Sequence, residues 1–481
     1  MVPMYVRYMG AEAYGLVGFF AMLQAWFQLL DMGLTPTMAR ETARYNGGAI
    51  DAVGLRRLLR ALEGIFIVIA VLGGGAMMAG ASAIAGKWLK VKQLPLDQVE
   101  HAIMLMAVIV ALRWICGLYR SAITGFEQMV WLSGFNIAIA TARFVLVIPF
   151  LIYISNNPVD FFAYQLTLAL IEVMTLWIKT YRLLPTVAVA NRTPWDWEPL
   201  RKVLKFSLSI AFTSSVWVLV TQTDKLVLSK LLPLAEYAYF TLAVLVASGV
   251  MVISGPISGA LLPRLTKLSA AGDEAGLIQL YRNATQFVAV IAVPVALVLA
   301  LFSEQVLWAW TGDSSIVAKA APVLTLYALG NGILALAAFP YYFQFAKGDM
   351  KLHMIGNVLF VVFLIPALLW ATWQYGVKGA GYAWLGANAC YFFLWIPRVH
   401  RRFVKGLHTR WLLNDLGVIV CPAMVAAMLL QNFLAWPQGR AEVTLMIMLV
   451  GVLILTVAAI SSSIGRKLLS SKLYQYTEKR N

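Results

Sequence analysis

Charge is what this chain has least of. Asp, Glu, Lys and Arg together make up 12% of its 481 residues, about half the share of a soluble domain. Hydrophobic residues reach 61% and the mean hydropathy is +0.78, so a water-soluble globular fold is excluded. Cysteine is scarce too. Cys116, Cys390 and Cys421 all lie inside apolar runs, with no pairing logic, and read as small hydrophobes. With four histidines in the chain and none clustered with cysteine, no metal-ligand spacing is present and no cofactor is expected. Strict apolar/polar alternation is missing, which excludes a transmembrane barrel. Long hydrophilic loops on the outer face are missing as well. The largest, Gly86–His101 and Ser303–Lys319, leave no room for an extracytoplasmic catalytic domain, so the chain is not expected to be an enzyme.

What remains is a set of long apolar runs. Backbone groups in lipid must bond within their own segment, and roughly 20 apolar residues cross the bilayer as a helix. The expected fold is therefore an all-α polytopic membrane protein. Spans are expected at Ala13–Leu34, Ala61–Ala85, Ala102–Ile123, Trp131–Ile154 and Phe161–Tyr181. A second set follows at Phe206–Leu231, Tyr237–Leu262, Ala284–Phe302, Ala318–Phe345, His353–Trp373 and Val377–Pro397. A final pair covers Leu413–Leu434 and Val443–Ile464. Only Met1–Met9 precedes the first turn, too short to cross and unlike a signal peptide. It reads as the end of a truncated first helix, giving fourteen spans in groups of six, six and two. The expected domains are residues 1–190, 191–405 and 406–481.

The middle of the chain looks like a second copy of its start. Shifting YVRYMGAEAYGLVGFF by 223 residues places Tyr14 on Tyr237, Arg7 on Lys230, Met9 on Leu232 and Arg44 on Lys267. Two six-span halves entering the membrane alike make parallel repeats, with the handled substrate between them. Orientation follows from the basic residues. With the first segment running outward, about 27 Lys and Arg fall on the inner side and about 8 on the outer. The inner set includes Arg40, Arg44, Arg56, Arg57, Arg192, Arg201, Lys202, Lys205, Arg398, Arg401 and Arg402, and the tail from Arg466. That places the C-terminus in the cytoplasm and explains a net charge of +16 as a basic face toward anionic membrane lipid. Charge spread over many loops is a poor fit to nucleic acid.

Several charged residues lie within the spans, where each costs on the order of 2.5–3.5 kcal/mol. Helical spacing collects them into stripes. Gln24, Gln28, Asp31 and Thr35 share one face; so do Arg113, Gly117, Arg120 and Thr124, and Asn136, Ala140 and Arg143. Gln165, Ala169, Glu172, Thr175 and Lys179 form a fourth stripe, and Ser214, Trp217, Thr221 and Asp224, beside Lys225, a fifth. Stripes on otherwise apolar helices imply a water-filled cavity. Two readings stand for each charge. Arg143 and Glu172 either line the cavity or lock two helices together. Asp31 and Lys225 either touch substrate or snorkel to the interface. Arg113 has no acidic residue on its own helix. Arginines facing a cavity favour an anionic group, phosphate or pyrophosphate, and the Asn, Gln and Thr of the stripes suit hydroxyl-rich molecules. Glu172 and Asp224, with Asp31 and Lys225, are candidates for ion coupling or charge partnership. The last span is almost wholly apolar and reads as a lipid-facing addition bordering a path for a lipid tail.

The segments VPMYVRYMGAEAY at Val2–Tyr14, LLDMGLTPTMAR at Leu29–Arg40 and TQTDKLVLSKLLPLAEYAYF at Thr221–Phe240 resemble hairpins of one transporter group. This is the polysaccharide transporter branch, the O-antigen type lipid-linked oligosaccharide flippases, of the multidrug/oligosaccharidyl-lipid/polysaccharide flippase superfamily. The resemblance runs over the whole chain. It implies transport of undecaprenyl-pyrophosphate-linked glycan across the bacterial cytoplasmic membrane by two alternating lobes. It also implies a proton or sodium gradient as a driving force, and a glycan polymerase and chain-length regulator as partners. It places a cationic-cavity role on Arg113 and Arg143 alone; the polar stripes add Arg120, Gln24, Gln28 and Asn136 as candidate cavity residues. The rival within the superfamily is a drug or organic-cation antiporter, which needs a net acidic cavity. A membrane glycosyltransferase lacks its acidic outer loop here, and an assembly scaffold has no use for a wet interior.

Overall fold

In the computed structural model, the described backbone covers residues 2–31, 33–48, 50–186, 198–252, 254–463, 465 and 466. Side chains are described for the same residues except 2, 198–214, 254–256, 258–260 and 263. Arg192, Arg201, Lys202, Lys205 and the tail beyond Arg466 thus lie outside the described side chains. Among the described residues the chain is all-helical, and its β pairing is confined to an isolated bridge between Lys90 and Pro233. Eleven described helices are long and apolar enough to cross a membrane, from Ala11–Asp31 to Arg440–Ser461. Two more of the expected spans fall within the helix Glu198–Leu231 and the run Val377–Cys390, Tyr391–Trp395 and Ile396–Phe403.

Helix boundaries follow ordinary capping chemistry. Asp51 accepts from the Gly54 N–H ahead of Ala52–Ala79, and Asp273 from that of Gly276 ahead of Glu274–Leu301. Asn157 caps Pro158–Leu183, where proline occupies the first turn and spends no donor. Asp313 accepts from Ser315, whose hydroxyl and N–H hold the carboxyl below its usual range at the start of Ser314–Ala337. Several helices carry an internal proline, among them those at Pro294, Pro322, Pro366 and Pro422, tolerated because neighbouring helices re-satisfy the freed carbonyls. Four helical runs contain π-type turns: Ile84–Trp88, Ala142–Leu146, Tyr391–Trp395 and Trp411–Gly417.

The chain divides into two compact units, Met1–Ala238 and Tyr239–Asn481. The division falls later than the expected boundary at 190, itself outside the described residues. Glu198–Leu231, expected to open the second half, packs on Ala11–Phe27 and Ala52–Ala79 of the first unit.

In the first unit the short helix Val2–Met9 breaks at Gly10, whose φ of 86° suits glycine. Gly15 then lets the next helix approach the Leu234 carbonyl, which a Cβ would meet at 2.5 Å. The buried Glu12 carboxylate accepts from the backbone N–H groups of Lys92, Gln93 and Leu94 at 2.8–2.9 Å. The Leu234 N–H donates to the Lys90 carbonyl at 3.0 Å. The loop after Trp88 is therefore pinned at two places by charge-assisted and backbone bonds. Leu96–Gly125 runs through the centre of this unit, packed against Leu34–Asn46, Ala52–Ala79 and Pro158–Leu183.

The core of the second unit centres on Glu274–Leu301. The final pair, Leu407–Phe433 and Arg440–Ser461, packs directly on it. Asp415, wholly buried, accepts from Arg282 Nε at 2.7 Å and from Gln286 at 2.7 Å. Gln286 in turn accepts from Ser463, and Trp411 donates to Thr285. The last two spans are thus part of the unit's core, not only an apolar addition at its side.

Candidate functional site

Helices of the first unit bring the predicted stripes to one place. They enclose a cavity of about 860 Å³, whose lining includes Gln24, Gln28, Asp31, Arg113, Arg120, Arg143 and Glu172. Thr35, Gly117 and Trp217 join them, as their stripes predicted, and so do Phe27 and Trp114, which the stripes left out. Trp114 stacks on Phe66 with ring centroids 4.2 Å apart, fixing it as a wall.

Glu172 organises the charge. Its side chain is 3% exposed and binds Arg120 Nη2 and Arg143 Nη2 at 2.5 Å each, one on either oxygen. Arg143 and Glu172 thus form an ion pair between two helices, and both line the cavity. Arg120 also donates to Asn136, which positions the arginine from behind and does not itself line the cavity. Arg113 is held differently. Its Nη2 donates to Gln165 Oε1 at 2.8 Å, and Gln165 donates to the Arg143 carbonyl at 3.1 Å. The Arg113 guanidinium lies 5.2 Å from the Phe20 ring centroid. Among the described residues no carboxylate pairs with Arg113, and the Nε atoms of Arg113 and Arg143 are buried without a hydrogen-bond acceptor. Asp31 accepts from the Thr35 N–H at 3.2 Å and from its hydroxyl. The cavity therefore holds three arginines against two carboxylates, with donors still unspent.

Asp224 and Lys225 lie outside this cavity. Asp224 is buried, and Lys225 donates to the Thr221 carbonyl at 2.6 Å. The stripe that carried them delivers Trp217 to the cavity and turns Asp224 into the protein.

Sequence reasoning missed Glu63. It accepts from the Tyr119 and Tyr181 hydroxyls at 3.0 and 2.8 Å, tying three helices together. A lone carboxylate at the edge of an apolar run gave no stripe to find it by; Tyr119, next to Arg120, was the available signal.

Two family models match the chain over more than half its length. One, described as polysaccharide biosynthesis protein, covers residues 1–269. The other, described as lipid II flippase MurJ, covers residues 164–451. A Shigella flexneri protein named "Putative O-antigen transporter" is 18% identical over 385 residues, covering 79% of this chain and 87% of that one. Among solved structures, the lipid II flippase MurJ in an inward closed conformation aligns with a TM-score of 0.71 at 13% identity, over 97% of each chain. An inward-facing multidrug resistance transporter of the MATE family aligns with a TM-score of 0.69 at 14% identity, over 84% of this chain and 94% of that one. At these identities the two structures establish the fold alone, while the family models carry the assignment. The chain belongs to the polysaccharide biosynthesis protein family, in the flippase branch of the multidrug/oligosaccharidyl-lipid/polysaccharide flippase superfamily, and is a multi-pass membrane transporter, not an enzyme.

Proposed function

We propose that this protein flips undecaprenyl-pyrophosphate-linked oligosaccharide units across the bacterial cytoplasmic membrane by alternating access, for synthesis of a surface polysaccharide. O-antigen, capsule and exopolysaccharide are the candidate products. The observation that carries the reading is the arginine-rich cavity of the first unit. A pyrophosphate needs several hydrogen-bond donors in a site that excludes bulk water. Arg113 supplies them first, because a neutral glutamine holds it and, among the described residues, no carboxylate pairs with it. Arg143 and Arg120 share Glu172, so an entering anion loosens that clamp as it binds. Gln24 and Gln28 face the sugar hydroxyls.

In the proposed layout, two six-helix lobes act as parallel repeats with the final pair beside them, and the C-terminus is cytoplasmic. Alternation requires contacts that differ between the two states. The Glu172 clamp provides one such contact, closed without substrate and opened by the anion. Asp31, Glu172 and Asp224 are the carboxylates available to a coupling proton or sodium ion. Unchanged export after both gradients are collapsed would remove that role from all three. A glycan polymerase and chain-length regulator complete the proposed assembly line.

The test is complementation of a flippase-deficient strain, with surface glycan as the readout and membrane protein level as the control. Wild type is expected to restore glycan, and Arg113→Ala and Arg143→Ala to insert normally but not restore it. Drug resistance conferred without any glycan restored would favour the cation-antiporter alternative, which the excess of arginine in the cavity opposes.

A further inference from the structure

Arg143 stands in the π-type turn Ala142–Leu146. A π-type turn departs from the i→i+4 ladder of the helix around it, and carbonyls it leaves over must find donors elsewhere. Three consecutive carbonyls of this turn do so, each from a side chain of another helix. The Tyr164 hydroxyl donates to the Ala142 carbonyl at 2.8 Å, and Gln165 Nε2 to that of Arg143 at 3.1 Å. The Tyr5 hydroxyl donates to that of Phe144 at 3.0 Å. Tyr164 and Gln165 are neighbours on Pro158–Leu183, while Tyr5 comes from the short helix Val2–Met9. The turn that carries Arg143 is therefore gripped by two separate helices.

Of the three donors, Gln165 has a second task. Its side chain is buried at 3% exposure and stands behind the cavity lining, where its Oε1 accepts from Arg113 Nη2 at 2.8 Å. An amide has one donating and one accepting end. A carbonyl only accepts and a guanidinium only donates, so the Arg143 carbonyl decides which way round the amide lies. The amide oxygen must then face Arg113. The π turn thus dictates that Arg113 meets a neutral acceptor.

Charge gives that neutrality a consequence. Arg113, Arg120 and Arg143 line the cavity with Asp31 and Glu172, an excess of one positive charge. Glutamate has the shape of glutamine. At position 165 it would set an acceptor against the Arg143 carbonyl and a full negative charge against Arg113. The excess would vanish, and the Arg113 donors would be spent on the protein itself.

We propose that Gln165 is the positioning residue that keeps the cavity selective for anions. Held one way round by the π turn, it orients Arg113 without neutralising it. Tyr5 and Tyr164 serve the same end by fixing the carbonyls on either side. The inference rests on the flippase reading for which anion is handled, and on the geometry for how the charge is kept available.

The experiment is calorimetric titration of the full-length protein in detergent with inorganic pyrophosphate, with the melting temperature of each variant measured alongside. Gln165→Glu is expected to weaken binding by roughly tenfold or more, with little change in melting temperature. Gln165→Met loses both hydrogen bonds and adds no charge. It is expected to melt lower and still bind within about threefold of wild type. A glutamine that only holds the helices together predicts the reverse order, with the Met variant the weaker binder. That order overturns the proposal, and so does Gln165→Glu binding like wild type. Should Gln165→Met fail to insert, Gln165→Asn, also neutral, takes its place. Should Gln165→Glu fail to insert, the Tyr5→Phe/Tyr164→Phe pair, which frees the turn, carries the test. It is expected to weaken binding by about threefold, and unchanged binding overturns the proposal. If wild type binds pyrophosphate too weakly to titrate, glycan export in the complementation assay carries the same comparison. Discrimination between Gln and Glu at 165 in a protein that exports no glycan would bring down the flippase reading and leave this one standing. Equal glycan export by wild type and Gln165→Glu would do the opposite.

Discussion

In the first unit, the helices Leu96–Gly125 and Pro158–Leu183 with their neighbours surround a cavity of about 860 Å³ lined by Arg113, Arg120, Arg143 and Glu172. In the second, Lys351–Tyr375 and Val377–Cys390 bound a groove of about 1000 Å³ in which Arg398, at one end, is the only lining charge. Adding the offset of 223 that sets Tyr14 on Tyr237 carries those four cavity residues to Leu336, Phe343, Pro366 and Trp395. None of the four is charged, and Trp395 lines the groove. A charged site and an apolar site on one chain relieve each other. Arginines spread along an apolar groove would cost on the order of 2.5–3.5 kcal/mol each to insert, and an apolar cavity would leave an anion without donors.

The sharpest way to break this contrast is to take the cations from the first unit. The double variant Arg113→Ala/Arg143→Ala is expected to lower surface glycan more than tenfold at equal membrane level; normal export would leave the contrast without functional meaning. Next come two buried carboxylates held by arginine, Glu172 in the first unit and Asp415 in the second. Asp415→Ala strands Arg282 and Gln286 in the second unit. It is expected to destabilise the protein by about 3 kcal/mol, read as a lower melting temperature in detergent. Export at reduced temperature is expected to persist, because Asp415 does not line the arginine cavity. Glu172→Gln leaves Arg120 and Arg143 facing each other, and both are partly exposed, so about 2 kcal/mol is expected. Here export is expected to fall as well, even where folding is rescued. If the two carboxylates behave alike, the distinction between a structural and a working clamp is lost. The smallest effect is at Phe20. Phe20→Leu removes a ring from the Arg113 guanidinium and is expected to cost about 0.5–1 kcal/mol of anion binding, measured with pyrophosphate by calorimetry.

The cavity was largely legible in the sequence because regular helices repeat every 3.6 residues. Gln24, Gln28 and Asp31 on one helix and Arg113, Gly117 and Arg120 on another obey that period and reach the same space. Asp224 obeys it too, but its stripe runs past the end of the cavity into packed protein. Contacts between distant segments were not legible. Glu12 caps a loop some 80 residues away, and Asp415 finds its arginine 133 residues earlier. A single carboxylate at the end of an apolar run carries no sign of which backbone or side chain will neutralise it. The groove was hidden for a different reason: small residues at its floor and aromatic residues at its rim are the ordinary composition of any membrane helix. Only their packing shows that Gly386 faces open space.

Arg143 sits in the π-type turn Ala142–Leu146, Trp395 ends that of Tyr391–Trp395, and Asp415 lies within that of Trp411–Gly417. Such a turn accommodates one residue more than the regular helix around it. Deleting a single residue there leaves a good helix, but rotates everything on one side by about 100° relative to the other. The helix Val147–Tyr153 would then turn a different face to its neighbours while Asn136 stayed in place. A lineage that lost this residue would keep a stable, inserted transporter and lose its register between lipid-facing and cavity-facing sides. The chain's length inside these three helices is therefore as much a part of its specificity as the side chains they carry.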